Sequence, residues 1–204
     1  MTGTGVEDLL DEPAEWPVAR SRDLYRGDWV LALRADTLRA PERPDQEFDR
    51  YVVELPGAVM VLAVDADEQV VVLRQYRHAV RTRLVELPAG LLDVPGEDPV
   101  VAARRELREE TALVADSWRH LVTVLPSPGI STETHVIYLA RGLHDTNRGG
   151  FEPEHEEAEM EVRWVPVQEL ADSVLAGGPV DGHLAIAVLL ATGRGLAGST
   201  RSRE

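Results

Sequence analysis

The sequence predicts an α+β fold, or an irregular α/β sandwich, on three observations. Strand signals crowd together in the first half: YVVEL (51–55), AVMVLAV (58–64), QVVVLRQY (69–76) and RLVEL (83–87) are β-branched, apolar and split by Pro56-Gly57 and by the turn DADE (65–68). One capped helix follows over Asp98–Leu113, with Asp98 suited to the N-cap, Pro99 to the first helical position, and Val100, Ala103 and Leu107 on one face. Strands and helices then mix without regular βαβ alternation, which argues against a doubly wound sheet. LVTVL (121–125) and ETHVIYLA (133–140) read as strands around a Pro/Gly loop, EMEVRWVP (159–166) as another, and Val167–Leu175 and Gly182–Ala191 as helices.

The remaining segments are less regular. Residues 1–20 are polar and acidic, contain Pro13 and Pro17, and read as loosely ordered. Residues 23–39 alternate in part and suit a strand pair, whereas APERPDQEF (40–48) reads as a loop on its two prolines. Residues 141–158 read as an acidic loop, and residues 193–204 as a flexible tail.

Composition removes several chemistries. A chain of 204 residues can bury a core without covalent staples. It has no cysteine, so disulfides, thiolate metal sites and a cysteine nucleophile are excluded. All 21 basic residues are arginine, which excludes a Schiff-base or P-loop lysine. The formal net charge of −15 argues against nonspecific nucleic-acid binding and against docking on anionic lipid. It leaves room for a small phosphorylated substrate, because a bound cation reverses local charge. The opening residues lack a basic then apolar leader pattern, and the longest apolar runs, Gly57–Val64 and Leu184–Ala191, are too short to span a bilayer. The expected location is the cytoplasm.

The segment that carries chemistry runs from Gly90 to Leu113. Glu106 and Glu110 are four apart on the predicted helix, so their carboxylates share a face, and Glu109 lies beside them. Three acids this close repel one another and hold protons unless a cation joins them. Hard oxygen donors at this spacing suit Mg²⁺ or Mn²⁺. Glu97 sits just before the helix and can turn back toward the cluster, and Arg105 can brace a carboxylate. The plain alternative is a solvated acidic helix face.

Taken together, these positions resemble the box of the Nudix hydrolases, G-x5-E-x7-R-E-U-x-E-E-x-G-U with U a bulky aliphatic residue. Glu97, the seven-residue spacer, Arg105, Glu106, Leu107, Glu109, Glu110 and Leu113 match. Two positions depart: six residues rather than five separate Gly90 from Glu97, and Ala112 stands where the family prefers Gly. The extra residue falls in a loop and should leave the acids in place. Ala at the helix end is tolerated if that position needs no positive φ. Gln75-Tyr76-Arg77-His78, Val85–Gly90 and Ser127–Ser131 resemble the ADP-ribose pyrophosphatase branch, which also shows a proline about fifteen positions past the box, here Pro128.

The resemblance implies a Nudix fold: an αβα sandwich with a mixed central sheet over 56–192, plus a small N-terminal β accessory segment over 21–55 that helps to form a homodimer. It implies metal ligation by Glu106, Glu110 and the carbonyl of Ala89, with Glu97 and Glu109 as further ligands or holders of bound water. Arg77 would grip the diphosphate, Pro128 would contribute to substrate binding, and Arg50, Arg81 and Arg83 are weaker candidates. A catalytic glutamate would come from the loop 152–161, Glu157 first and Glu156 second, with Glu109 also counted among catalytic candidates. His78, His135 and His155 are not needed. Trp29 or Tyr51 would stack on adenine or simply pack. The implied reaction is Mg²⁺-dependent (Mn²⁺ as alternative) cleavage of ADP-ribose to AMP and ribose 5-phosphate. The alternatives are another nucleoside diphosphate derivative, such as GDP-mannose or NADH, and a non-catalytic ADP-ribose-binding sensor.

Overall fold

The computed structural model describes residues 10–152, 158–178 and 181–198. The chain divides into two compact units, residues 1–55 with 129–131, and residues 56–128 with 132–204.

The smaller unit is an antiparallel sheet of β1 (Val18–Arg26), β2 (Ala32–Ala40) and β3 (Arg43–Glu54), in the order β1-β2-β3. The strand pair expected over 23–39 is present, and β1 reaches back to Val18. The loop expected over 40–48 is not: β3 starts at Arg43 and runs through Pro44. An edge strand tolerates proline, because the missing N–H costs nothing on the side that faces no partner. Trp16 stands edge-on to Phe48, with ring centroids 6.0 Å apart.

The larger unit is built around β4 (Ala58–Ala63), whose six residues are all buried. It is the second strand of a sheet ordered β7-β4-β9-β8, with β7 at Ala89–Leu91, β8 at Leu113–Val124 and β9 at His135–Asp145. β4 runs parallel to β9, while the β4–β7 and β8–β9 pairs are antiparallel, so this sheet is mixed. A second, antiparallel sheet orders β10 (Glu161–Pro166), β5 (Gln69–Arg77) and β6 (Thr82–Glu86). Alternation along β4 separates two cores. Met60, Leu62 and Val64 pack with Val167 of α2 (Val167–Leu175) and Leu184 and Val188 of α3 (Gly182–Gly193). Val59, Val61 and Ala63 pack with Ala102, Ala103 and Leu107 of α1 (Pro99–Thr111). A strand covered by helices on both faces reads as an unbroken apolar run, which is how 58–64 reads.

Three other segments differ from expectation. β8 begins at Leu113, directly after the helix, rather than at 121. β9 extends to Asp145, into the expected acidic loop. The tail is anchored as far as Gly198: Ala197 is buried, Gly198 N–H donates to Glu68 Oε2 at 2.6 Å, and Arg141 donates to the Leu196 carbonyl at 2.7 Å. Among the described residues, no helix is long and apolar enough to cross a membrane.

Candidate active site

Helix α1 positions three of the expected carboxylates. Asp98 caps it, accepting from the Val100 N–H at 3.0 Å, and Pro99 opens its first turn. The buried face of Ala102, Ala103 and Leu107 fixes the rotation of the helix. Glu106, Glu109 and Glu110 are thereby presented along one side. At its far end Ala112 adopts φ 58°, the left-handed conformation, and its N–H closes on the Arg108 carbonyl at 2.9 Å. The position where the family prefers Gly therefore does need positive φ, so the condition attached to Ala there is not met, and the alanine is held at a conformational cost.

Arg105 gathers the acids. One terminal nitrogen lies 2.6 Å from Glu106 and 3.3 Å from Glu109, and the other lies 3.4 Å from Glu97. The extra residue before Glu97 has left this convergence intact. Glu110 is buried and accepts the Ala89 N–H at 2.9 Å, which brings β7 against the helix beside the Ala89 carbonyl. Gly90 lies directly against the Glu106 carboxyl, and a Cβ on it would force that side chain to shift. Burial pushes the Glu106 carboxyl up to about 7, against the pull of Arg105, and Glu109 and Asp93 push in the same direction. Asp93 was not singled out in the sequence.

The donor set is entirely carboxylate and carbonyl oxygen, which fits a hard divalent cation. Among the described residues, no three carboxylate or imidazole groups form a ready coordination shell. Glu97, Glu106 and Glu109 close on the Arg105 guanidinium, whose charge offsets theirs.

A cavity of about 230 Å³ adjoins Ala89 and is also lined by Arg77, Glu86, His135, Asp181 and His183. Arg77 makes a bidentate pair with the buried Glu86, at 2.7 to 3.1 Å, and Gln75 donates to the same carboxylate at 2.8 Å. Held this way, the Arg77 side chain keeps 49% of its surface accessible. Sequence reasoning found Arg77 but missed Glu86, a lone acid in a strand that gave no sign of being buried. It also passed over His135 and missed His183 and Asp181.

The other expected residues lie elsewhere or outside the description. Arg50 belongs to the smaller unit, where its guanidinium stands 4.4 Å over the Phe48 ring. Trp29 and Tyr51, also in that unit, are exposed and belong to no core. Pro128 is exposed in the loop after β8. Arg83 pairs with Glu159 at 2.7 Å, and Arg81 sits in a turn at φ 53°. His78 contacts the Tyr76 hydroxyl at 3.2 Å. Glu156, Glu157 and His155 fall outside the described residues.

Comparison with known proteins gives this arrangement a context. The NUDIX domain profile matches residues 54–184. The chain is 45% identical over 171 residues to the ADP-ribose pyrophosphatase of Mycobacterium tuberculosis, covering 84% of this chain and 80% of that protein. It is 39% identical over 114 residues to the methanol dehydrogenase activator of Bacillus methanolicus, covering 56% and 60%. A solved structure described as an ADP compounds hydrolase shares the fold, with a TM-score of 0.70 and 19% identity over 91% of this chain and 99% of that one. With a profile spanning most of its length and a relative this similar over most of both sequences, the chain belongs to the NUDIX domain family.

Proposed function

We propose that this protein hydrolyses the pyrophosphate bond of ADP-ribose to AMP and ribose 5-phosphate with the help of Mg²⁺. The observation that carries the reaction type is the convergence of Glu97, Glu106 and Glu109 on Arg105, beside Glu110 and Ala89. The choice of ADP-ribose is supported by the 45% identical relative, an ADP-ribose pyrophosphatase. Glu106, Glu110 and the Ala89 carbonyl would hold the cation, with Glu97 and Glu109 completing its surroundings. A bound divalent cation supplies Lewis-acid polarisation of a phosphoryl oxygen and an activated water.

The chain's own residues do the rest. Arg105 keeps Glu97, Glu106 and Glu109 gathered, and its charge offsets their mutual repulsion. Arg77, pre-oriented by Glu86, offers its accessible edge to the diphosphate, which a planar guanidinium grips at two oxygens. Glu157, or else Glu156, takes the proton from the attacking water, consistent with the acidic character of the loop that bears them. No covalent intermediate is needed, in keeping with the absence of Cys and Lys.

The test is Glu106→Gln, which keeps shape and removes the negative charge. Mg²⁺-dependent turnover of ADP-ribose should fall by at least about a hundredfold, the scale on which one charge-stabilising group acts. Full activity would remove Glu106 from the mechanism.

A further inference from the structure

His135 on β9 and His183 on the first turn of α3 are 48 positions apart in sequence, yet His135 Nδ1 lies 2.8 Å from His183 Nε2. Their outer nitrogens face carboxylates. His135 Nε2 is 2.9 Å from Glu133, and His183 Nδ1 is 3.4 Å from Asp181. Counting protons over these contacts decides the charge of the pair. A carboxylate only accepts, so each outer contact needs a ring N–H, and the central contact needs one proton between two nitrogens. Two neutral imidazoles bring two protons, which leaves one of the three contacts with lone pairs face to face. A fourth proton would set two N–H groups against each other at the centre. Three protons, and hence one positive charge on the pair, satisfy every contact.

The surroundings agree. Burial and the neighbouring His183 push His135 below the ordinary histidine value, while Glu133 pulls it up. Burial raises Asp181, yet it stays below the usual carboxylate range because the His183 ring and the backbone N–H groups of Leu184 and His183 donate to it. Across the cavity the charged neighbours are Arg77 and Glu86, already paired with each other.

We propose that His135 and His183 share one proton and act as a positioning latch, fastening the start of α3 to β9 only while singly charged and so setting the wall of the Arg77 cavity. This rests on the reading above in which that cavity receives the substrate. Losing the shared proton at higher pH, or gaining another at lower pH, breaks the central contact and loosens the wall. KM should therefore have a minimum on the pH scale.

The test has two arms on the full chain. In the first, the ¹⁵N-histidine-labelled protein is titrated by NMR without substrate. The pair should hold three ring protons in an intermediate pH band, with nitrogen–nitrogen coupling across the central bond. In the second, KM for ADP-ribose should be lowest in that band. His135→Gln and His183→Gln should each raise KM there about three- to tenfold, the scale of one net hydrogen bond. Both should also flatten its pH dependence while leaving kcat within about twofold. Two independently titrating rings in the wild-type protein, or a KM profile that survives both substitutions, would overturn the latch. Absence of any ADP-ribose turnover by the wild type would count against the proposed function alone, since the NMR arm needs no turnover.

Discussion

At Glu106 two demands oppose each other. The carboxyl lies against Gly90 in a largely buried position, which favours its neutral form, while Arg105 at 2.6 Å favours its charged form. Burial wins and moves the group from the ordinary 4.5 to about 7. Between those values the folded chain keeps a proton that the unfolded chain releases, so this group's contribution to stability falls as pH rises from 4.5 to 7. The whole shift corresponds to about 3 kcal/mol. In a chelator, the gain in stability of Glu106→Gln over wild type, read by urea unfolding, should therefore grow across that window. A constant difference would contradict the assignment. Affinity for Mg²⁺ should rise over the same window, because the cation competes with that proton.

Much of this residue-scale picture was legible in the sequence, because α1 imposes it. Acids at a spacing of four on a capped amphipathic helix have little choice of direction. What was not legible depends on contacts between distant segments. Glu86 is an isolated acid in a strand, and only the fold shows it braced between Gln75 and Arg77. His135 and His183 carry no local pattern at all.

At the scale of elements, the helix end is the informative junction. Ala112 holds φ 58° to turn α1 directly into β8. A left-handed alanine costs about 1–2 kcal/mol, part of which glycine's extra freedom in the unfolded chain would offset. Ala112→Gly should raise stability by about 1 kcal/mol in urea unfolding, with the acid cluster unchanged. No gain, or a loss, would mean that the turn depends on the alanine side chain. The strand β3 shows why proline misleads as a loop signal: Pro44 stands at the register break of an edge strand, between Arg43 opposite Ala40 and Glu47 opposite Arg39. The first half of β8, VADSWRH, escaped notice because it is polar and largely accessible, and its pairing with β9 rather than its own composition makes it a strand.

At the scale of the whole molecule, the smaller unit is a three-stranded sheet whose described buried apolar residues are Ala32 and Ala35. A sheet with so little apolar burial and two edges has reason to associate. We propose a homodimer in which this unit takes part. Light scattering should give twice the 22.5 kDa chain mass, and a single species at the chain mass would refute it.

The central claim is that the acid cluster and the Arg77 cavity serve one reaction on ADP-ribose. The most direct measurement incubates the purified protein and Mg²⁺ with ADP-ribose, GDP-mannose, NADH and 8-oxo-dGTP, and resolves products by chromatography. AMP and ribose 5-phosphate appearing fastest from ADP-ribose is the predicted result. Faster cleavage of another substrate would contradict the choice of ADP-ribose, and tight binding of ADP-ribose without turnover of anything would contradict the enzyme.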